Sequence, residues 1–167
     1  MKNFRSTLYT TYDIRYTGFT LIELLVVISI IGLLIGLSIF GLQGARKSAR
    51  DAVRKSALEE IRSGVGIYKA DCNKYPVSNP AKNPLTAFGT SLKGDGVSSS
   101  ACLVSNIYIN KTPVDPSSPN SDFLYWSDGV TYQICATLEQ NVGGATVTCG
   151  GSSSCGSATC NYKVENP

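Results

Sequence analysis

Nineteen consecutive residues, Leu24 to Leu42, carry no charge, and this run constrains the chain more than any other feature. At ~1.5 Å rise per residue it makes about 28 Å of helix, close to the ~30 Å hydrocarbon core of a bilayer. Its two polar side chains, Ser29 and Ser38, can each return a hydrogen bond to a helix carbonyl. A buried core helix rarely stays apolar on every face for so long, so the expectation is a membrane-spanning helix. A secretory signal peptide is the competing reading, because Lys2, Arg5 and Arg15 precede the run. The run exceeds the usual ~7–15 apolar residues, and Ser38 to Ala45 offers only weak small-x-small sites. No cysteine opens the run, which removes a lipoprotein. Arg46, Lys47, Arg50, Arg54 and Lys55 crowd its far side, so charge counting does not orient it.

Glu23 stands at the entrance to this run. A carboxylate in a spanning helix costs about 2.5–3.5 kcal/mol at the bilayer centre and less near the interface, where it can snorkel to the headgroups. A functional carboxylate here needs a cation at the same depth. Cleavage between Gly18 and Phe19 creates one, since the new α-amine is charged at neutral pH. A neighbouring subunit's amine then neutralises Glu23 where water is scarce.

The segment Gly18-Phe19-Thr20-Leu21-Ile22-Glu23-Leu24-Leu25-Val26-Val27 closely resembles the cleavage and methylation signature of type IV prepilins and type II secretion pseudopilins. The resemblance implies that a membrane prepilin peptidase cuts after Gly18 and, as methyltransferase, N-methylates Phe19. It implies that Glu23 and Phe19 serve assembly. It also implies a single-pass precursor in the cytoplasmic (inner) membrane, its head outside the cytosol, later drawn into an extracellular or periplasmic filament. The implied partners are further copies and related pilins, an assembly platform and its ATPase. Gly32 and Gly36 form a small-xxx-small pair suited to close helix packing. Related pilins often carry a helix-weakening proline hereabouts. None is present, so Gly41 and Gly44 are the candidates for local loosening.

Past the run the pattern turns amphipathic. Ala45, Ala49, Val53, Ala57, Ile61, Val65, Tyr68 and Cys72 recur every three or four residues, and Arg50, Arg54, Lys55, Glu59, Arg62 and Lys69 are read as a solvated stripe. One continuous helix from about Phe19 to Asn73 is expected, stopped before Pro76. The composition then shifts: residues 75–167 hold only 24 Val, Ile, Leu, Phe, Tyr or Trp among 93, and six prolines fall between Pro76 and Pro119. Residues 76–122 are expected to be mostly loop with short ordered pieces, and Leu103 to Ile109 reads as either helix or strand. Phe123 to Trp126 reads as a strand, Ser127-Asp128-Gly129 as a turn, and Val130 to Glu139 as the partner strand. In that partner Val130, Tyr132, Ile134, Ala136 and Leu138 share a face. Ala145 to Cys149 and Cys160 to Val164 are expected as further strands. The fold class is therefore α+β: a long N-terminal helix packed against a small antiparallel sheet. The divisions are a leader at 1–18, a transmembrane and assembly helix at 19–42, an amphipathic stalk at 43–74 and a disulfide-stabilised head at 75–167.

Thr112-Pro113-Val114-Asp115-Pro116, with Tyr125-Trp126 and Tyr132, also looks like the head of major pseudopilins, which often bind calcium in a loop after the paired aromatics. This chain passes from Trp126 through a three-residue turn into a strand, so no metal or other cofactor is expected. Asp115, Asp122 and Asp128 read as turn formers rather than ligands. Cys72, Cys102, Cys135, Cys149, Cys155 and Cys160 include no Cys-x-x-Cys pair, and the chain has no histidine, which argues against zinc. A head outside the cytosol favours disulfides. Six cysteines allow 15 connectivities. The preferred set is Cys72–Cys102, Cys135–Cys149 about a hairpin turning at Val142, and Cys155–Cys160, with some free thiols as the alternative.

Without histidine or telling carboxylate pairs, no enzyme is expected. A net charge of +3, evenly spread, gives no sign of nucleic-acid binding. The expectation is a structural filament subunit, a pilin or pseudopilin. The alternative is a minor pilin whose head serves adhesion or DNA uptake.

Overall fold

The computed structural model describes residues 18–141 and 143–166. The basic leader residues Lys2, Arg5 and Arg15, the leader through residue 17, and Val142 lie outside the described residues. Two compact units divide between Leu42 and Gln43.

Helix α1 runs from Leu21 to Cys72. Thr20 caps its start, and Asn73 ends it in the left-handed region at φ 60°, its N–H donating to Lys69 O at 2.9 Å. Ser29 and Ser38 donate to the carbonyls of Leu25 and Leu34 at 2.7 and 2.8 Å, so neither hydroxyl goes unsatisfied inside an apolar helix. Among the described side chains of the first unit every residue is exposed.

The second unit buries the other side of its part of α1. Ala57, Leu58, Ile61, Val65, Tyr68 and Cys72 form a core with Tyr75, Phe123, Tyr125, Tyr132, Ile134 and Ala136. Two expectations need correction. Ala45, Ala49 and Val53 are exposed, because the head covers the neighbouring face of the helix. Arg54, read as solvated, is 1% exposed, because its angular position falls in line with Leu58, Ile61 and Val65.

The head contains β1 (Ser78–Lys82), α2 (Pro84–Phe88), β2 (Leu92–Lys93), β3 (Ile107–Ile109), β4 (Leu124–Ser127), β5 (Tyr132–Ala136), β6 (Ser154–Cys155), β7 (Ala158–Thr159) and β8 (Tyr162–Glu165). The principal sheet is antiparallel, in the order β1-β4-β5-β8, and β2-β3 and β6-β7 form two small ribbons. Strand β1 contains Pro80 and sits at an edge, where a missing N–H breaks no ladder. Strands β4 and β5 pair Leu124 with Cys135 and Ser127 with Tyr132. The turn between them is built by Asp128, whose carboxylate accepts from the N–H groups of Val130 and Thr131 at 2.8 and 2.7 Å.

Tyr132, Ile134, Ala136 and Leu138 are buried as their alternation requires, but Val130 lies in the turn and is 71% exposed. Ala145 to Cys149 does not form a strand; Cys149 makes only an isolated bridge to Ser152. The opposite face of the sheet carries a second core of Leu124, Cys135, Cys149, Cys155 and Cys160, with Ala81, Trp126 and Val147 against it. Cystine sulfur supplies much of what an apolar side-chain layer would.

Candidate functional site

Gly18 and Phe19 precede α1 in irregular backbone, and Phe19 is 80% exposed. The helix start is a reciprocal capping box. Glu23 donates its N–H to Thr20 Oγ1 at 3.3 Å, and Glu23 Oε2 accepts from Thr20 N at 3.3 Å and Thr20 Oγ1 at 3.2 Å. An anion in the first turn also suits the helix dipole. The geometry leaves the carboxylate exposed beside the bond expected to be cut. Around Gly32, Gly36, Gly41 and Gly44 a methyl group would meet nothing within 4 Å, so a second backbone has room to approach.

The six cysteines are joined as Cys72–Cys102, Cys135–Cys149 and Cys155–Cys160. Asp95 lies near the sulfurs of Cys72 and Cys102, but the disulfide leaves no thiolate for a metal. The Asp95 carboxylate is instead held by Val97 N, Ser98 N, the Ser98 hydroxyl and Lys74, Ser98 foremost in pushing its pKa well below the usual carboxylate range.

The feature that the sequence reading missed is an ion cluster between stalk and head. Arg54 Nε and Nη2 donate to the two oxygens of Asp115 at 2.8 and 3.2 Å. Its Nη1 donates to Asp51 at 2.8 Å and Glu139 at 2.9 Å, and Nη2 also reaches Ser117 Oγ at 2.8 Å. These bonds use the full donor capacity of a guanidinium. Arg50 grips Glu139 in a two-pronged pair at 2.7 and 2.5 Å. Asp51 in turn accepts the backbone N–H groups of Glu139 and Gln140 at 2.9 and 2.8 Å.

Each charge is held by its neighbours. Burial lowers the Arg54 pKa, but hydrogen bonds to Asp115, Glu139 and Asp51 outweigh it and raise the value above normal. Burial likewise opposes ionisation of Asp51, and the amides of Glu139 and Gln140, then Arg54, bring its pKa below normal. For Glu139 the bond from Arg50 leads, desolvation opposes, Arg54 adds, and the carboxyl falls to about 2. The cluster holds fixed charges at neutral pH, and it fastens the loop at Asp115 and the strand exit at Glu139 to one face of α1. Asp115, read as a turn former, does accept Ser117 N at 2.7 Å, but its main partner is Arg54. The legible signal was the helical register Arg54-Leu58-Ile61-Val65.

A family model described as the prokaryotic N-terminal methylation motif matches residues 15–39. The type II secretion system core protein G of Aeromonas hydrophila is 34% identical over 71 residues, covering 42% of this chain and 50% of that protein. That of Pseudomonas aeruginosa is 30% identical over 111 residues, covering 61% of this chain and 68% of that protein. The type IV wide pilus major component PilA4 of Thermus thermophilus is 45% identical over 64 residues, covering 38% of this chain and 48% of that protein. The chain spans half the length, or less, of the first of these curated relatives. No solved structure matches it.

Proposed function

The chain belongs to the family of type IV pilins and type II secretion pseudopilins, and from that premise we propose that it is a structural subunit of a filament. It is not an enzyme. The precursor is held in the inner membrane by residues 19–42, cut after Gly18 and N-methylated on Phe19. Copies then assemble through their N-terminal helices, Glu23 of one taking the Phe19 amine of another. Residues 43–74 serve as the stalk and 75–167 as the outer head. Its partners are the peptidase, other copies, and an assembly platform with its ATPase.

What supports this reading best is the exposed apolar helix, opened by an exposed Phe19 and an exposed Glu23. A continuous apolar surface in water is unstable, and a membrane followed by a bundle of identical helices covers it in turn. The capping box gives the carboxylate a local partner before assembly.

Glu23→Gln tests the pairing. Glutamine keeps size and hydrogen bonding but loses charge, leaving the amine unpaired in low dielectric at a cost of several kcal/mol. Membrane insertion, cleavage and head folding are expected to persist while sheared-fibre yield collapses. If the carboxylate only snorkels, the variant inserts more readily and makes normal fibres, which would overturn the pairing. Mass spectrometry of mature protein should begin at N-methylated Phe19; an intact leader in cells holding the peptidase would overturn the processing.

A further inference from the structure

Within the second unit a groove of about 630 Å³ lies between α1 and the loop ahead of Asp115. Its apolar lining includes Val53, Pro113 and Val114, with Val53 53% and Val114 43% exposed. Glu60 stands on its helix side and Lys111 on its loop side. Both are exposed, and among the described residues neither has an ion pair within the chain.

The same unit carries a knob of matching chemistry. The β4–β5 turn presents Val130, 71% exposed, and Gly129 seats that turn against Val77, 58% exposed, and the stem of Lys74. The turn is held firmly: Tyr75 N donates to Gly129 O at 2.8 Å, and Gly129 N donates to Ser127 Oγ at 3.0 Å. Asp128 accepts from Val130 N, Thr131 N and the Thr131 hydroxyl through Oδ1 alone, which leaves Oδ2 for an outside cation. Lys74 is exposed and paired to Asp95 at 3.3 Å, a contact that is readily shared. The knob thus brings two valines, an anion and a cation to a groove that offers two valines, a cation and an anion.

A chain's own knob does not fill its own groove. Val53 and Cys72 are 19 residues apart on α1, about 28 Å, and the knob is fastened beyond Cys72. A knob and a groove at different places on one surface make a head-to-tail contact, and such contacts propagate from copy to copy. From this complementarity we propose that the Asp128–Val130 turn of one copy seats in the groove of the next, Val130 and Val77 against Val53 and Val114, Asp128 toward Lys111 and Lys74 toward Glu60. The occupant is a second molecule of this chain, and a preformed turn loses little freedom on docking. The inference rests on the filament reading above and adds a contact between heads to the packing of helices.

The deciding test is cross-linking of sheared fibres made by the full chain carrying both Val130→Cys and Val114→Cys. A short bis-maleimide, which does not react with the native cystines, should join these thiols into a ladder of dimers, trimers and longer chains. Either single variant should stay monomeric, because each contact then holds one thiol. Monomer from the double variant, dimers from a single variant, or a link from the groove thiol to a different protein would each overturn the proposal. A second arm reads fibre yield against the membrane pool of mature subunit. Lys111→Glu should lower yield about fivefold, the factor that ~1 kcal/mol represents, by setting like charges together. Adding Asp128→Asn, which keeps the turn but removes its charge, should recover most of that loss. Unchanged yield from Lys111→Glu would overturn the proposal and leave the filament reading intact. Absence of fibres from the wild-type chain in cells holding an assembly platform would instead remove the reading on which it rests.

Discussion

Arg54 is buried at the centre of the ion cluster that fastens the head to its helix. It faces two carboxylates that are nearly or wholly buried, Asp51 and Asp115, and breaking such a set from one side leaves charge without compensation. Arg54→Met should destabilise the protein by about 3–5 kcal/mol in urea unfolding of the full chain in detergent. Arg54→Lys should fall between, because an ammonium keeps the charge but cannot make the two-pronged contact with Asp115. Equal stability of methionine variant and wild type would mean that the cluster does not fasten head to stalk. Acid should act through the same residues. Glu139 is depressed from an ordinary value near 4.5 to about 2, so its stabilising contribution is complete above pH 4.5 and is lost as pH falls toward 2. Asp51, also depressed, moves in the same direction. Wild type should therefore lose more stability between pH 7 and pH 3 than Glu139→Gln, which lacks that titration; identical losses would contradict the assignment.

Two glycines of α1, Gly64 and Gly66, look equivalent in sequence and should respond to alanine with opposite signs. A methyl group on Gly64 would lie 2.2 Å from Ile109 Cγ1 and 3.2 Å from the Tyr108 carbonyl, so strand β3 approaches the helix only because that position is bare. Gly64→Ala should cost about 1–3 kcal/mol through overpacking, beyond what better helix propensity returns. Gly66 has nothing within 4 Å, and Gly66→Ala should stabilise by up to ~1 kcal/mol. Thermal unfolding of both variants checks the pair, and a stabilising Gly64→Ala would show that β3 yields easily. The same contrast explains how far the sequence could be read. Helix α1 was legible because its spacing of apolar residues persists for many turns and Asn73 and Pro76 punctuate its end. Strands β4 and β5 were legible because alternation runs unbroken from Tyr132 to Leu138 beside an Asp-Gly turn. The stretch from Gly18 to Val27 was legible as a motif, because a carboxylate at the start of a long uncharged helix is chemically conspicuous, and residues 15–39 match the methylation-motif family model. Arg54 was not: its charge outvoted its register, since the carboxylates that receive it come from positions 61 and 85 residues away. Ala145 to Cys149 was misread because Thr146, Val147 and Thr148, three β-prone residues in a stretch flanked by glycines, imitate a strand, whereas its place is fixed by a disulfide.

At the scale of the whole molecule the head is a sheet with two unlike cores, and they should fail separately. The face toward α1 is packed by aromatic and branched side chains, among them the edge-to-face pair Tyr75–Tyr132 with centroids 4.7 Å apart. The other face is covered by the segment that Cys149, Cys155 and Cys160 tie down, and the chain's single tryptophan, Trp126, lies there. A methyl group on Gly150 would sit 2.0 Å from the indole, so this backbone closes directly over Trp126. Closing a 14-residue loop contributes about 3 kcal/mol and a 30-residue loop nearly 4, so chain entropy ranks Cys72–Cys102 above Cys135–Cys149. The location of the damage follows the opposite pattern. Cys135→Ser/Cys149→Ser should free the covering segment, shift Trp126 emission to the red and leave helical circular dichroism unchanged, because no residue of the first core is touched. Cys72→Ser/Cys102→Ser should lower the unfolding midpoint more while leaving native Trp126 emission in place, since that bridge belongs to the core on the helix side. Measuring emission and far-ultraviolet dichroism on the same full-length samples distinguishes the two cores. A red shift from losing Cys72–Cys102, or helix loss from losing Cys135–Cys149, would mean that the two faces melt as one unit and that the cystine layer is not a separate cover.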